Sequence, residues 1–418
     1  MNLEILNLDR HTKFVKELTT GCIFGLTKTP KKKVPLVKYN CEAVSLRLHD
    51  IYNGRTKMID KIGLDVGTKN IVLSFFDADG KAGFLTEVNG YWHIDKCTPY
   101  IKNLLNDKTK KRSDDVARPA RWIEYDGKAI LLGRDAEEMA YAQNATLKRP
   151  MASGGLASDQ ESIIILTYIV QGLLHNLATD LGGFAPKVDL CYCTTAPAIN
   201  GELNMDYHKM VVNMIISNFK TESEIKVNDI VESHAIVLAM SEDDTGIGVS
   251  FGAGTVTVSY VRFGIPIFSF CHIGSGDWID TEVAKRHGWS DWAKHSKETP
   301  TTVAALKHTM SLSNLNLGNR ILMDIYMHYE ILISKVVESI IDGFKNNEDK
   351  ARINGAIPIF IAGGTSSPEG FVEMFTKHMN GQMKNAGMPF EVSRIERAPD
   401  QLLAVSRGCL RAASLYAE

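Results

Sequence analysis

The sequence contains no C-x-x-C pair, no G-x-x-x-x-G-K-[ST] loop and no uninterrupted apolar run long enough to span a bilayer. Each absence removes a class of function. Seven cysteines, Cys22, Cys41, Cys97, Cys191, Cys193, Cys271 and Cys409, are spread along the chain without the spacing of a zinc site. Cys191 and Cys193 alternate on an expected strand and so share a face, but with no His or Cys beside them they read as structural thiols. No basic leader with an apolar core opens the sequence, and a reducing cytoplasm is the expected compartment. The longest apolar stretch, SIIILTYIVQGLL at 162–174, is interrupted by Thr167 and Gln171 and reads as a packed helix. Strong charge of either sign is also missing. With a net charge of −2, 23% charged and 44% hydrophobic residues, nothing suggests a nucleic-acid surface, a disordered tail or a trap for acidic substrates.

What remains is a chain of 418 residues, long enough for two domains. Residues 1–59 read as an extension in which a mixed apolar and charged start is followed by the Pro-bracketed lysine run TKTPKKKVP (27–35), a linker-like stretch. Leu3, Leu6, Phe14 and Leu18 could share one side of a helix there, which suits packing on the protein itself, with membrane contact through residues 1–18 as the alternative. Beyond Asp60 the pattern alternates between strands (KIGLDV, NIVLSFF, VDLCYCTTAP, GIGVSFG, TVTVSYV, IPIFIAGG) and helices near 158–178, 204–219, 278–287, 320–345 and 370–386. The chain is therefore mixed α/β. The polar stretch at 104–122, with its KTKKR, reads as an exposed insertion.

One device occurs twice. IGLDVGTKNIVLSFFD (62–77) and IGVSFGAGTVTVSYVR (247–262) share Ile-Gly, an apolar residue, a polar residue, an apolar residue, Gly, a short turn and a β-branched strand. Asp65 corresponds to Ser250 and Gly67 to Gly252, with Thr68 and Thr255 in the turns. A glycine turn between strands can wrap its N–H groups around an anion with no Cβ in the way, so two such hairpins facing each other could clamp a polyphosphate. Other glycine loops are excluded by the element after the turn: a P-loop or dinucleotide fingerprint needs a helix there, whereas both turns here lead into strands. The same test disposes of Gly248-Val249-Ser250-Phe251-Gly252 as a nucleophile elbow, because that Ser sits on a strand-to-helix turn. A serine hydrolase using Ser250 is the remote alternative.

A third element, IPIFIAGGTSSPEGFVEMF (357–375), leads from a strand through Gly363 and Gly364 into a helix, with Ser367 as the expected N-cap and Pro368 as its first residue. In this order the three elements resemble the actin-like ATPase superfamily: its first phosphate loop, its second and its adenosine loop. IVESHAIVLAM (230–240) and APDQLLAVSRGCLRAASL (398–415) resemble the two connecting helices, and the stretch 127–156 is similar to bacterial actins of the MreB and MamK types. No substrate-binding domain is expected after the adenosine-loop-like element, which argues against a complete DnaK-type chaperone, and no sugar-site signature suggests a hexokinase-like enzyme.

The resemblance implies two lobes, each a ribonuclease-H-like mixed sheet flanked by helices, closing on ATP or ADP and Mg²⁺. Lobe I would span 60–235, with an inserted subdomain near 88–127 and completion by a helix at 400–418; lobe II would span 236–399, with an insertion near 287–325. Asp65 would hold the Mg²⁺ through water. Gly67, Thr68, Lys69 and Asn70 would line one side of the phosphates, and Ser250, Gly252, Ala253, Gly254 and Thr255 the other. Lys307, Gly363, Gly364 and Thr365 would meet the nucleoside, with Ala304 standing where bacterial actins often carry Glu. Glu232 would orient the attacking water. Ser250 departs from the family's Asp, which implies slow hydrolysis. The expected function is a cytoplasmic ATPase that forms homopolymeric filaments for positioning or scaffolding, with an unidentified cargo or adaptor and no direct nucleic-acid binding. The alternative is a non-polymerising nucleotide-dependent switch or chaperone-like protein.

Overall fold

Two five-stranded sheets of identical topology organise the described chain. The structure, a computed structural model, describes residues 58–415 apart from 78–79, 113–117, 144, 146, 181–182, 202, 290–302, 315–317, 348, 350, 352–354 and 387–389. The expectations for residues 1–57, including membrane contact through 1–18, lie outside the described residues. In chain order, β1 (Ile59–Val66), β2 (Asn70–Phe76) and β3 (Ala82–Val88) are followed by β4 (Tyr91–Ile94), α1 (Pro99–Leu105), β5 (Trp122–Tyr125), β6 (Lys128–Leu132) and α2 (Gly133–Ala142). Next come β7 (Met151–Ala152), β8 (Gly155–Leu156), α3 (Gln160–Asp180), β9 (Phe184–Thr194), α4 (Met205–Ser217), β10 (Glu224–Val231) and α5 (Glu232–Met240). The second half comprises β11 (Gly246–Phe251), β12 (Thr255–Arg262), β13 (Ile265–Ile273), α6 (Gly276–Arg286), α7 (Val303–Thr309), α8 (Arg320–Lys345), β14 (Ala356–Ala362), α9 (Phe371–Ala386), β15 (Glu391–Arg397) and α10 (Ala404–Leu415).

The first sheet runs β10-β9-β1-β2-β3 and the second β15-β14-β11-β12-β13. In each, three antiparallel strands joined by hairpins are extended by two parallel ones on the side of the first strand. The duplication seen in sixteen residues of sequence thus extends over two whole lobes. A small third sheet, β4-β6-β5, hangs from the first lobe between β3 and α2.

Local chemistry explains the elements. Nearly every residue of β11 and β12 is buried, and their Val, Ile, Thr and aromatic residues suit strands covered on both faces. α8 carries Ile325, Tyr329, Leu332, Ile333, Val336, Val337, Ile340, Ile341 and Phe344 as one buried stripe at helical spacing. Its start is fixed by the Asn319 side chain, which accepts from the N–H groups of Ile321 and Leu322 at 3.0 and 3.2 Å. α3 is long and apolar enough to cross a membrane by length and composition. Its Ile163, Leu166, Ile169, Val170, Leu173 and Leu177 belong to the first lobe's core, as expected of the run at 162–174.

α5 and α10 join the lobes and pack on each other and on both sheets, with Cys191, Ala235, Val237, Phe360, Val405 and Cys409 in a shared core. The paired glycines of the repeated device explain how they sit. A Cβ on Gly63 would stand 2.1 Å from the Ser406 carbonyl of α10, and one on Gly248 would stand 1.9 Å from the Ser233 carbonyl of α5. Opposite these glycines in the hairpins are Ser74 and Ser259. Ser74 hydrogen-bonds Ser406 at 2.7 Å, and Ser259 hydrogen-bonds Ser233 at 2.7 Å. Each connecting helix is therefore seated on its own hairpin by the same glycine contact and the same buried serine pair. These buried hydroxyls satisfy one another and add directional fixity to an apolar interface.

Candidate functional site

The turn after β1 closes through a hydrogen bond from Gly67 N–H to Asn70 O at 3.1 Å, and the turn after β11 through Gly252 N–H to Thr255 O at 3.0 Å. The two turns are thus equivalent residue by residue. In this register the counterpart of Thr255 is Asn70, and that of Thr68 is Ala253. Each turn is braced by a side chain donating to its glycine carbonyl. Asn89, just after β3, donates to Gly67 O at 2.9 Å, and Thr365 donates to Gly252 O at 2.7 Å. Backbone bonds complete the support, Asn89 to Lys69 O in the first lobe and Gly274 and Asp277 to Gly254 and Ala253 in the second.

The two hairpins converge on Glu232, the first residue of α5. Its carboxylate accepts from Thr257 at 3.4 Å and from the Ser250 hydroxyl, both in the second hairpin. Asp65 of the first hairpin lies close enough for its charge to act on Glu232. Burial, and secondarily the Asp65 charge, pushes the Glu232 carboxyl well above the usual carboxylate range, against the opposing hydroxyls. Asp65 is also pushed up by burial, opposed by a hydrogen bond from the Cys193 thiol at 3.1 Å. Both carboxyls are met by neutral donors, and neither has an ion-pair partner among the described residues. Two recessed oxygen-donor groups left without a cation suit a hard divalent ion, which favours carboxylate oxygen.

Residues 363–365, expected to border a nucleoside, are arranged around the second turn. Gly363 has φ of +93°, and a Cβ there would stand 2.3 Å from Phe251 O, so the strand end and the turn can meet only at a glycine. The Cβ position of Gly364 opens to free space. Arg397 donates to the carbonyls of Ser366, Ser367 and Pro368, and Tyr329 to that of Thr365, pinning the loop. The helix expected to begin at Pro368 with Ser367 as cap instead begins at Phe371. A short 3₁₀ turn at 364–366 and Gly370 at φ +82° intervene, and the Ser367 hydroxyl bonds Gln401 instead.

Lys307 is buried, ion-paired with Asp280 at 2.7 Å and donating to Gly276 O at 2.7 Å, so its ammonium buttresses the start of α6. Lys69, in the first turn, is close enough to act electrostatically on both Asp280 and Lys307 in the second lobe. A further bridge crosses the lobes where Arg149 pairs with Asp277 at 2.7 Å. Beside it, the β7–β8 hairpin presses on the second turn, where a Cβ on Gly254 would meet Gly154 N at 2.6 Å. Sequence reasoning named the turn residues, Asp65, Glu232 and Ser250, but missed Asn89, Thr257, Cys193, Asp280 and the Arg149 bridge. Thr257 alone left a local signal, since it is the strand neighbour facing Ser250 across the hairpin.

A family model described as Volactin matches residues 60–413. A search of curated proteins finds no match. Among solved structures, the MamK double helical filament is 16% identical with a TM-score of 0.56, covering 84% of this chain and 98% of that one. MreB5 of Spiroplasma citri bound to ADP is 16% identical with a TM-score of 0.51, covering 84% and 95%. The ethanolamine utilization protein EutJ from Carboxydothermus hydrogenoformans is 15% identical with a TM-score of 0.46, covering 97% and 99%. The likeness to MamK and MreB5 shows an actin-like, two-lobed fold.

Proposed function

The chain belongs to the Volactin family, and from that premise and its actin-like fold we propose that it binds and slowly hydrolyses ATP between its lobes and assembles into cytoplasmic filaments. Lobe I is assigned to 60–235, completed by α10 (Ala404–Leu415), and lobe II to 236–399. The observation that carries the reading is the pair of equivalent glycine turns, each braced from behind, whose hairpins meet at one glutamate. The amides of Gly67, Thr68, Lys69 and Asn70 on one side, and of Gly252, Ala253, Gly254 and Thr255 on the other, provide donors for a polyphosphate. Gly363, Gly364 and Thr365 border the nucleoside. Asp65 is the residue that would hold a magnesium ion through its water shell, and the ion would neutralise phosphate charge.

Glu232 orients the attacking water and takes its proton. A carboxylate whose basicity is raised by burial is suited to that role. Ser250 and Thr257 hold the Glu232 side chain by hydrogen bonds, which fixes the direction of its free lone pairs. Ser250 supplies a hydroxyl where a second anionic group would draw the metal, and slow turnover is the consequence. The same residue favours a second reading, a nucleotide-dependent switch that closes without polymerising. Sedimentation and negative-stain microscopy with ATP, ADP and no nucleotide separate the two. The filament reading expects polymer that pellets with ATP; its absence across protein and salt concentrations leaves the switch.

A further inference from the structure

We propose that Cys193 is a positioning residue for Asp65, holding its carboxylate in the rotamer that faces the metal and phosphate side of the cleft. The inference rests on the nucleotide-binding reading above and assigns a role to a residue outside both glycine turns. β9 runs parallel to β1 with Gly63 opposite Cys191 and Leu64 opposite Tyr192. One further step along this register brings Cys193 level with Asp65, and its thiol donates to Asp65 Oδ1 at 3.1 Å. Cys193 and Cys409 are buried at 1% and 0% exposure, and both are free thiols. Cys409, on α10, is in hydrogen-bonding contact with both Cys191 and Cys193. The carboxylate is thus tied through two thiols to a helix that joins the lobes.

The thiol suits this place chemically. Behind the first hairpin the wall is apolar, and a thiol packs there as a small hydrophobe while still offering a proton. The Cys193 thiol is the donor and the Asp65 carboxylate the acceptor. The bond fixes Oδ1, which also lies 3.5 Å from the Cβ position of Gly67, and so holds the carboxylate against the first turn. A positively charged donor in the same position would compete with a metal for the carboxylate; a neutral thiol orients it without neutralising it.

The test compares wild type with Cys193→Val, Cys193→Ala and Cys193→Ser. Magnesium is titrated into each protein saturated with a non-hydrolysable ATP analogue and followed by calorimetry, alongside kcat, KM for ATP and nucleotide affinity in EDTA. Loss of one neutral hydrogen bond predicts a roughly 5–10-fold rise in the magnesium dissociation constant for both Val and Ala, with a matching fall in kcat. KM for ATP and affinity in EDTA should change by less than about twofold, and Ser should restore most of the loss. Unchanged magnesium affinity in the folded Val or Ala protein overturns the proposal, as does a Ser variant as impaired as Val. If wild type itself fails to bind the analogue, the functional reading fails first and takes this inference with it.

Discussion

Replacing Gly248 with alanine probes the link between the connecting helices and the site. The added Cβ would fall 1.9 Å from the Ser233 carbonyl, a backbone atom with no rotamer to give. Reaching the 3.4 Å of an ordinary contact means moving α5 away from β11 by about 1.5 Å. That motion breaks the Ser233–Ser259 hydrogen bond and opens the core around Ala235 and Val237. Overpacking of this kind costs on the order of 3 kcal/mol. Because Glu232 immediately precedes Ser233, the same shift carries it away from Thr257 and Ser250. A misplacement of about 1 Å at a catalytic group lowers turnover roughly 100-fold. Urea unfolding monitored by circular dichroism gives the stability, and phosphate release gives the turnover. Gly172→Ala in α3 is the control: nothing lies within 4 Å of its Cβ position, and helix propensity predicts a gain of up to about 1 kcal/mol. A Gly248→Ala protein as stable and active as wild type would refute the seating of α5 on the second hairpin.

Glu232→Ala should abolish phosphate release while nucleotide affinity stays within about threefold, since binding rests on the turn amides; equal loss of both would remove Glu232 from catalysis. Ser250→Asp should raise turnover at saturating magnesium and destabilise the ligand-free protein by adding a third carboxylate beside Asp65 and Glu232; an unchanged rate counts against Ser250 as the cause of slow hydrolysis. His208 on α4 is buried, and desolvation pushes its imidazole down to about 4 from 6.5. A histidine depressed on folding stabilises the protein above pH 6.5 and loses that contribution as pH falls toward 4, on the order of 3 kcal/mol. His208→Leu should flatten that part of the stability curve, and an identical acid transition in the variant would contradict the assignment.

The residues read most easily from sequence are those whose chemistry is local. Gly67 and Gly252 stand out because a turn between two strands demands them, and the repeat doubles the signal. α8 is legible because its apolar stripe keeps helical period for its whole length. The Ser367-Pro368 pair misled because a cap-like motif is locally valid, while Gly370 and the 3₁₀ turn delay the helix to Phe371. Cys193 shows the deeper limit. Alternation puts it on the same face as Cys191, yet only the parallel pairing of β9 with β1, more than a hundred residues away in sequence, sets it against Asp65. Asn89, the Ser74–Ser406 pair and the Lys307–Asp280 pair are also non-local contacts, which no window of sequence contains.

If the functional reading holds, the two equivalent turns grip a single nucleotide from opposite sides. A crystal structure grown with a non-hydrolysable ATP analogue and magnesium tests it most directly. The expected result is one triphosphate hydrogen-bonded to the amides of both 67–70 and 252–255, with Asp65 and Glu232 facing its terminal phosphate. A nucleotide bound elsewhere, or against one turn alone with the other exposed to water, would contradict it.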